Sequence, residues 1–136
     1  MVWAGFAWRG RGPLVLHSGS VTGAVHAQLL MEHAIPALKA MFPRKNGIFQ
    51  QDNAPVHTAR VAQGVLAEAK VRTLTWPAYS PDLNPIENLW AAVEVEIRKH
   101  NPQPSSVGEL EKVVKEIWEA NPKKVYRDQC QIEFRL

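Results

Sequence analysis

Cysteine is almost absent from this sequence: Cys130 is the only one. One thiol builds neither a disulfide framework nor a cysteine zinc site within the chain, and a reducing compartment is the default expectation. A lone thiol near a C-terminus reads as incidental rather than nucleophilic. Long apolar runs are also missing. No stretch approaches the roughly 18 residues of a membrane helix, so no membrane span is expected. The opening MVWAGFAWRGRG lacks a basic region followed by a long apolar core and does not read as a signal peptide. No Gly-x-Ser-x-Gly elbow, phosphate loop or His-Glu-x-x-His helix occurs, so those enzyme classes fit poorly. Internal repeats and low-complexity segments are not visible. Acids are scarce at the start: residues 1–51 carry Arg9, Arg11, Lys39, Arg44 and Lys45 against Glu32 alone.

What is present suits one globular domain. The 136 residues are 46% hydrophobic, enough for a real core and hardly for two. A net charge of +3 and a pI near 9.2 permit a nucleic-acid partner without demanding one. The basic bias of the first third reads equally well as a solvated face or as a phosphate-tracking surface.

Apolar and aromatic residues on both sides of RGRG predict a hairpin, with strands near Val2–Trp8 and Pro13–His17. Thr22 is a plausible N-cap for a helix whose inward face holds Ala27, Leu30, Ala34, Leu38 and Met41. Pro36 should kink or divide that helix. Ile48–Asp52 is a short strand. A helix from about Pro55 to Lys70 follows, with Ala62, Val65, Leu66 and Ala69 inward. VRTLTW is another strand, and Pro77–Asn84 a loop. The next helix, PIENLWAAVEVEIRKH, buries Leu89, Trp90, Val93 and Ile97. After the linker NPQPSS comes an amphipathic helix with Leu110, Val113, Val114, Ile117 and Trp118 on one side. The tail from Asn121 adds at most a short helix. Strands alternating with helices predict an α/β mixed sheet flanked by helices. In such sheets ligand sites gather at the C-terminal ends of parallel strands, where Asp52 stands.

Two acids carry the chemical question. Asp52 in QQDNAPVH can simply open a turn. Glu87 in WPAYSPDLNPIENLW has a structural reading as well. With Asn84 as N-cap and Pro85 at N1 it falls at N3, where a carboxylate favours the helix dipole. Taken together they read differently. Positions 53 to 86 place 34 residues between them, room for one helix, one strand and one loop to return the chain to the same sheet edge. Hard divalent cations take oxygen ligands, usually one or two carboxylates with phosphate oxygens and water, and two-metal phosphoryl-transfer sites draw such carboxylates from separate elements.

QQDNAPVH and YSPDLNPIENLW, in this order and spacing, closely resemble motifs of the DDE transposases of the mariner superfamily, in the branch whose third acid is Glu. MVWAGFAWRGRGPLVLHSGSV resembles the hairpin that precedes them. The resemblance spans roughly residues 1–120 and leaves 121–136 as a divergent C-terminal tail. It implies an RNase H-like fold and binding of Mg²⁺ or Mn²⁺ by three acids. It also implies hydrolytic cutting of DNA at transposon ends and joining of the 3′-OH to target DNA. Carried onto this sequence, Asp52 is the second acid and Glu87 the third, both catalytic and metal-binding. Asn53, His57 and Asn84 would support them through hydrogen bonds, although His57 reads equally as a capping or packing residue. Arg9 and Arg11, expected on the hairpin turn, and Tyr79 in the loop are the candidates for touching DNA. Trp76 and Trp90 read as core.

In that family the first acid lies on a strand just before the hairpin. This sequence begins at the hairpin, and no Asp or Glu precedes Glu32, which lies outside the family pattern. The expectation is therefore a truncated catalytic domain lacking its first, central strand, with two of three acids. Exposed strand edges would favour self-association. Three readings stay open: a piece of a transposase catalytic domain, inactive alone; a non-catalytic relic that binds nucleic acid or protein; or a site completed by a partner chain. A plain RNase H activity would need the same first acid. The resemblance places the protein inside the cell, and in the nucleus of a eukaryotic host, without a basic localisation cluster of its own.

Overall fold

The computed structural model describes the chain except for residues 76, 78, 79, 81, 82, 122 and 134–136 and the side chains of 130–133. The expectations for Trp76 and Tyr79 therefore lie outside the described residues. Two compact units emerge: residues 1–2 with 17–84, and residues 3–16 with 85–136.

The first unit begins with helix α1, Gly23–Leu29, capped by the Thr22 hydroxyl, which accepts from the Val25 N–H at 3.3 Å. Its buried face carries His26, Ala27 and Leu29. The helix does not break at Pro36 but widens one turn earlier. Leu30–Ala34 is a π-helical turn, and α2, Ile35–Met41, follows directly. Proline has no N–H to donate, and its ring would strike the carbonyl of residue i−4; a wide turn accommodates both.

The helix expected from Pro55 to Lys70 is divided. Helix α3, Pro55–Thr58, ends at Ala59 in an extended conformation (φ −56°, ψ 137°), and α4 runs Arg60–Glu68. Gly23 sits against this break. A Cβ there would lie 2.5 Å from the Ala59 Cβ, so only glycine lets α1 start so close. Ala62 and Leu66 face inward. Helix α4 ends in a Schellman motif, with Lys70 at φ 53°, Val71 N–H on the Leu66 carbonyl and Lys70 N–H on the Ala67 carbonyl.

The two strands expected at Ile48–Asp52 and Val71–Trp76 reduce to a parallel bridge between Phe49 and Thr73. Phe49 N donates to Arg72 O at 2.7 Å and Leu74 N to Phe49 O at 3.0 Å. An isolated pair of this kind is marginal, and Asp52 ends it by turning its carboxylate onto the Ala54 N–H at 3.0 Å.

In the second unit strands β1, Val2–Ala7, and β2, Gly10–Leu16, form a hairpin whose turn is Trp8–Arg9 rather than the glycines around Arg11. Its start belongs to the first unit, where the Met1 and His17 backbones bond each other. Helices α5, Pro85–Lys99, α6, Val107–Ala120, and α7, Lys123–Glu133, complete the unit. Its core joins Leu89 and Val93 to Trp118 and Tyr126, with Phe6, Leu14 and Trp90 packed around them. The Trp118 indole N–H reaches the Gly12 carbonyl at 3.3 Å, and the Tyr126 hydroxyl donates to the Trp118 carbonyl at 3.1 Å. Trp90 stacks on Trp118, as its core reading expects. Leu110, expected inward, stands 39% exposed. The tail forms a full helix, and its Tyr126 is 1% exposed.

Candidate active site

Three of the expected site residues come together in the first unit: Asp52, Asn53 and His57. The loop after Phe49 turns at Asp52, where Oδ1 accepts the Ala54 N–H in an Asx turn. Pro55 then starts α3 at its first position, and this short helix swings His57 back over the turn. The His57 Nδ1 lies 2.7 Å from Asp52 Oδ1 and 3.3 Å from the Asp52 carbonyl oxygen. Both partners only accept, so Nδ1 carries the hydrogen. With two donors on Oδ1, the carboxylate is fixed in rotation. Oδ2 makes no hydrogen bond to any described residue. Asp52 and His57 side chains are each 22% exposed, half-buried rather than sealed.

Asn53 is exposed and donates through Nδ2 to the Pro77 carbonyl at 3.3 Å, tying the Asp52 turn to the segment after Thr75. A cleft of about 290 Å³ opens beside this turn, with Asp52, Asn53, Gln63, Thr73 and Thr75 on its walls. Phe49 and Leu74 also line it, so the walls mix hydroxyl, amide and carboxylate groups with apolar surface.

Two residues here were not anticipated. His26 of α1 is 1% exposed, and its Nε2 lies 3.0 Å from Gln51 Oε1. The Gln51 amide nitrogen points to the His57 carbonyl at 3.4 Å, which Gln63 also meets at 2.7 Å. The His26 and His57 rings pack with centroids 4.5 Å apart. Burial pushes the His26 pKa below its ordinary value. The Gln51 bond opposes that, His57 adds to it, and the Asp52 charge opposes it more weakly. His26 Nδ1 is buried without a partner among the described residues. The sequence signal was a histidine within the apolar stripe of α1, alongside Ala27 and Leu30, and a glutamine immediately before the acid.

Glu87 is the third residue of α5 and exposed, with Pro85 at the first position as expected and half-buried Asn84 just before it. It belongs to the second unit, Asn84 to the first. Arg9 occupies the hairpin turn. Arg11 does not: it lies on β2, and its guanidinium donates to the Glu119 carbonyl at the end of α6. Among the described residues no group of three or more His, Cys, Asp or Glu side chains is placed to hold a metal ion, and no helix is long and apolar enough to cross a membrane.

Residues 2–111 match the family described as DDE superfamily endonuclease. The chain belongs to that family. Among its relatives is the Tc3 transposase of Caenorhabditis elegans, 30% identical over 122 residues, which are 90% of this chain and 37% of the relative. The Tcb1 transposase of Caenorhabditis briggsae is 37% identical over 94 residues, 69% of this chain and 34% of that protein. This chain thus spans well under half the length of these transposases. The Mos1 transposase catalytic domain, solved with raltegravir and Mg, superposes with a TM-score of 0.80 at 27% identity, covering 96% of this chain and 66% of that one. A Mos1 paired-end complex with the left transposon end gives the same TM-score at 28% identity, over 96% and 38%. The DDE chain described here is therefore of the mariner transposase catalytic-domain type, and its fold is RNase H-like.

Proposed function

We propose that residues 1–120 form part of the catalytic domain of a transposase that cleaves transposon-end DNA and joins it to target DNA. Asp52 and Glu87 would be two of its metal-binding carboxylates, and Mg²⁺ or Mn²⁺ the cation. The observation that carries this reading is the state of Asp52. Its Oδ1 is held by the Ala54 N–H and His57 Nδ1–H, while Oδ2 has no described partner. Such a carboxylate is oriented before any ligand arrives. All-oxygen donors fit a hard divalent cation. Bound there, the cation would supply charge neutralisation at a phosphate and activation of an attacking oxygen.

The chain's own residues would orient that chemistry. His57 and the Ala54 amide hold Asp52, the Asn53 amide anchors its turn, and Glu87 offers a second carboxylate from the first turn of α5, after Asn84. Arg9, with Tyr79 of the motif loop, would meet DNA backbone; Arg11 would do so only with the nitrogens not committed to Glu119. Structures of the Mos1 catalytic domain with Mg and with Mn, and of Mos1 with transposon ends, support the cation and the partner. Work on chromosomal DNA would put the protein in the nucleus of a eukaryotic host.

The test is a Mn²⁺ titration of the purified chain, read by calorimetry and by thermal melting. Binding to the native state raises Tm. The parent should shift upward, whereas Asp52→Ala and Glu87→Gln should shift less or not at all. An identical shift in Asp52→Ala would remove Asp52 from the site.

A further inference from the structure

The geometry points to His26 as a positioning residue for the candidate site: from the buried face of α1 it fixes Gln51 and the His57 ring, and so the presentation of Asp52. The inference rests on reading Asp52 as a metal-binding carboxylate.

The connection is continuous. His26 Nε2 stands 3.0 Å from Gln51 Oε1. Gln51 Oε1 only accepts, so His26 carries its hydrogen on Nε2. That bond turns the Gln51 amide nitrogen toward the His57 backbone carbonyl at 3.4 Å. The His26 ring also lies against the His57 ring, 4.5 Å between centroids, on the ring whose Nδ1 holds Asp52 Oδ1 at 2.7 Å. Helix α1, the Asp52 turn and α3 are thereby fixed to one another through side chains.

A core histidine serving only to fill space is the ordinary reading of such a residue. The unpartnered His26 Nδ1 counts against it. Leucine or methionine would fill the place without a stranded acceptor, which is unfavourable in a dry interior. What an apolar residue would not do is hold Gln51. Partners that orient a ligating side chain in this way commonly change metal affinity by about 10–100-fold when removed.

Two substitutions separate donor from volume. His26→Phe keeps a ring against His57 and loses the donor. His26→Gln places an amide N–H near the position of Nε2. The chain labelled with ¹⁵N-histidine reports the His57 tautomer at mildly alkaline pH, independently of any metal, and calorimetry reports Mn²⁺ affinity. In the parent, His57 should be protonated at Nδ1. His26→Phe should yield mixed tautomers and an affinity about 10-fold weaker, while His26→Gln should restore the parent pattern. If His26→Phe does not fold, Gln51→Met cuts the same bond from the half-buried side and should give the same two changes. A folded His26→Phe with parental His57 signals overturns the inference, as does a His26→Gln no better than His26→Phe. A parent that binds no Mn²⁺ overturns the proposed metal site instead, and the His57 signals still decide the role of His26.

Discussion

His57 holds Asp52 from within one short segment: Nδ1 of the imidazole is 2.7 Å from Oδ1 of the carboxylate, five residues back along the chain. Pro55 makes this possible by starting α3 between them. Asparagine can place an amide N–H near the position of Nδ1, and alanine cannot. His57→Ala should therefore weaken Mn²⁺ binding by about 10-fold or more, and His57→Asn should retain most of it. His57 is half-buried and its ring packs on His26, so His57→Ala should lower Tm somewhat and His57→Asn less. Calorimetry with paired melts checks this. Equal affinity in all three proteins would reduce the contact to a helix-capping interaction.

Tyr126 decides whether the C-terminal segment is an appendage or a structural part of its unit. Its ring packs with Phe6 and Trp118, and its hydroxyl meets the Trp118 carbonyl. Tyr126→Phe loses one buried hydrogen bond and should cost about 1 kcal/mol. Tyr126→Ala empties an aromatic site and should cost about 3–5 kcal/mol. Urea unfolding gives both values. A small effect for Tyr126→Ala would mean that α7 docks only loosely.

Much of this was legible in the sequence where one residue has one dominant local effect. Thr22 caps, Pro85 starts a helix, and Asp-Asn-Ala-Pro makes a turn. Other features come from tertiary contact and left little local trace. Ala59 is a strong helix former, yet it takes an extended conformation between α3 and α4, where α1 packs closely against it through Gly23. The strands at Phe49 and Thr73 have strand-like composition but too few hydrogen-bonded neighbours among the described residues to extend. Tyr126 sits in a polar, basic stretch that hides its burial. His26 lies in an apolar stripe, where a histidine reads as core until its partner Gln51 is seen.

Two glycines make the crowding measurable. At Gly23 a Cβ would lie 2.5 Å from the Ala59 Cβ, while at Gly64 in α4 it would meet nothing within 4 Å. Gly64→Ala should stabilise by roughly 0.5–1 kcal/mol, because alanine loses less backbone freedom in a helix. Gly23→Ala should destabilise by roughly 1–3 kcal/mol, since overpacking outweighs any propensity gain. Opposite shifts in the urea midpoint are expected. A gain in both would show that α1 and the α3–α4 break separate freely.

His26 sets a pH dependence whose sign follows from its burial. Its folded-state pKa lies below the ordinary value of 6.5, mainly because burial disfavours the imidazolium. Above 6.5 both folded and unfolded chains hold it neutral, and its contribution is complete. As pH falls through 6.5 the unfolded chain takes up a proton that the folded chain refuses, so stability declines until the lower folded-state pKa is passed. His57 beside it opposes protonation further, and the Asp52 carboxylate and Gln51 bond limit the shift. His26→Gln removes this titration and leaves every other histidine in place. Urea midpoints measured from mildly alkaline to mildly acidic pH should fall more steeply for the parent than for His26→Gln. Parallel curves would mean that His26 takes up its proton as readily in the folded chain as in the unfolded one.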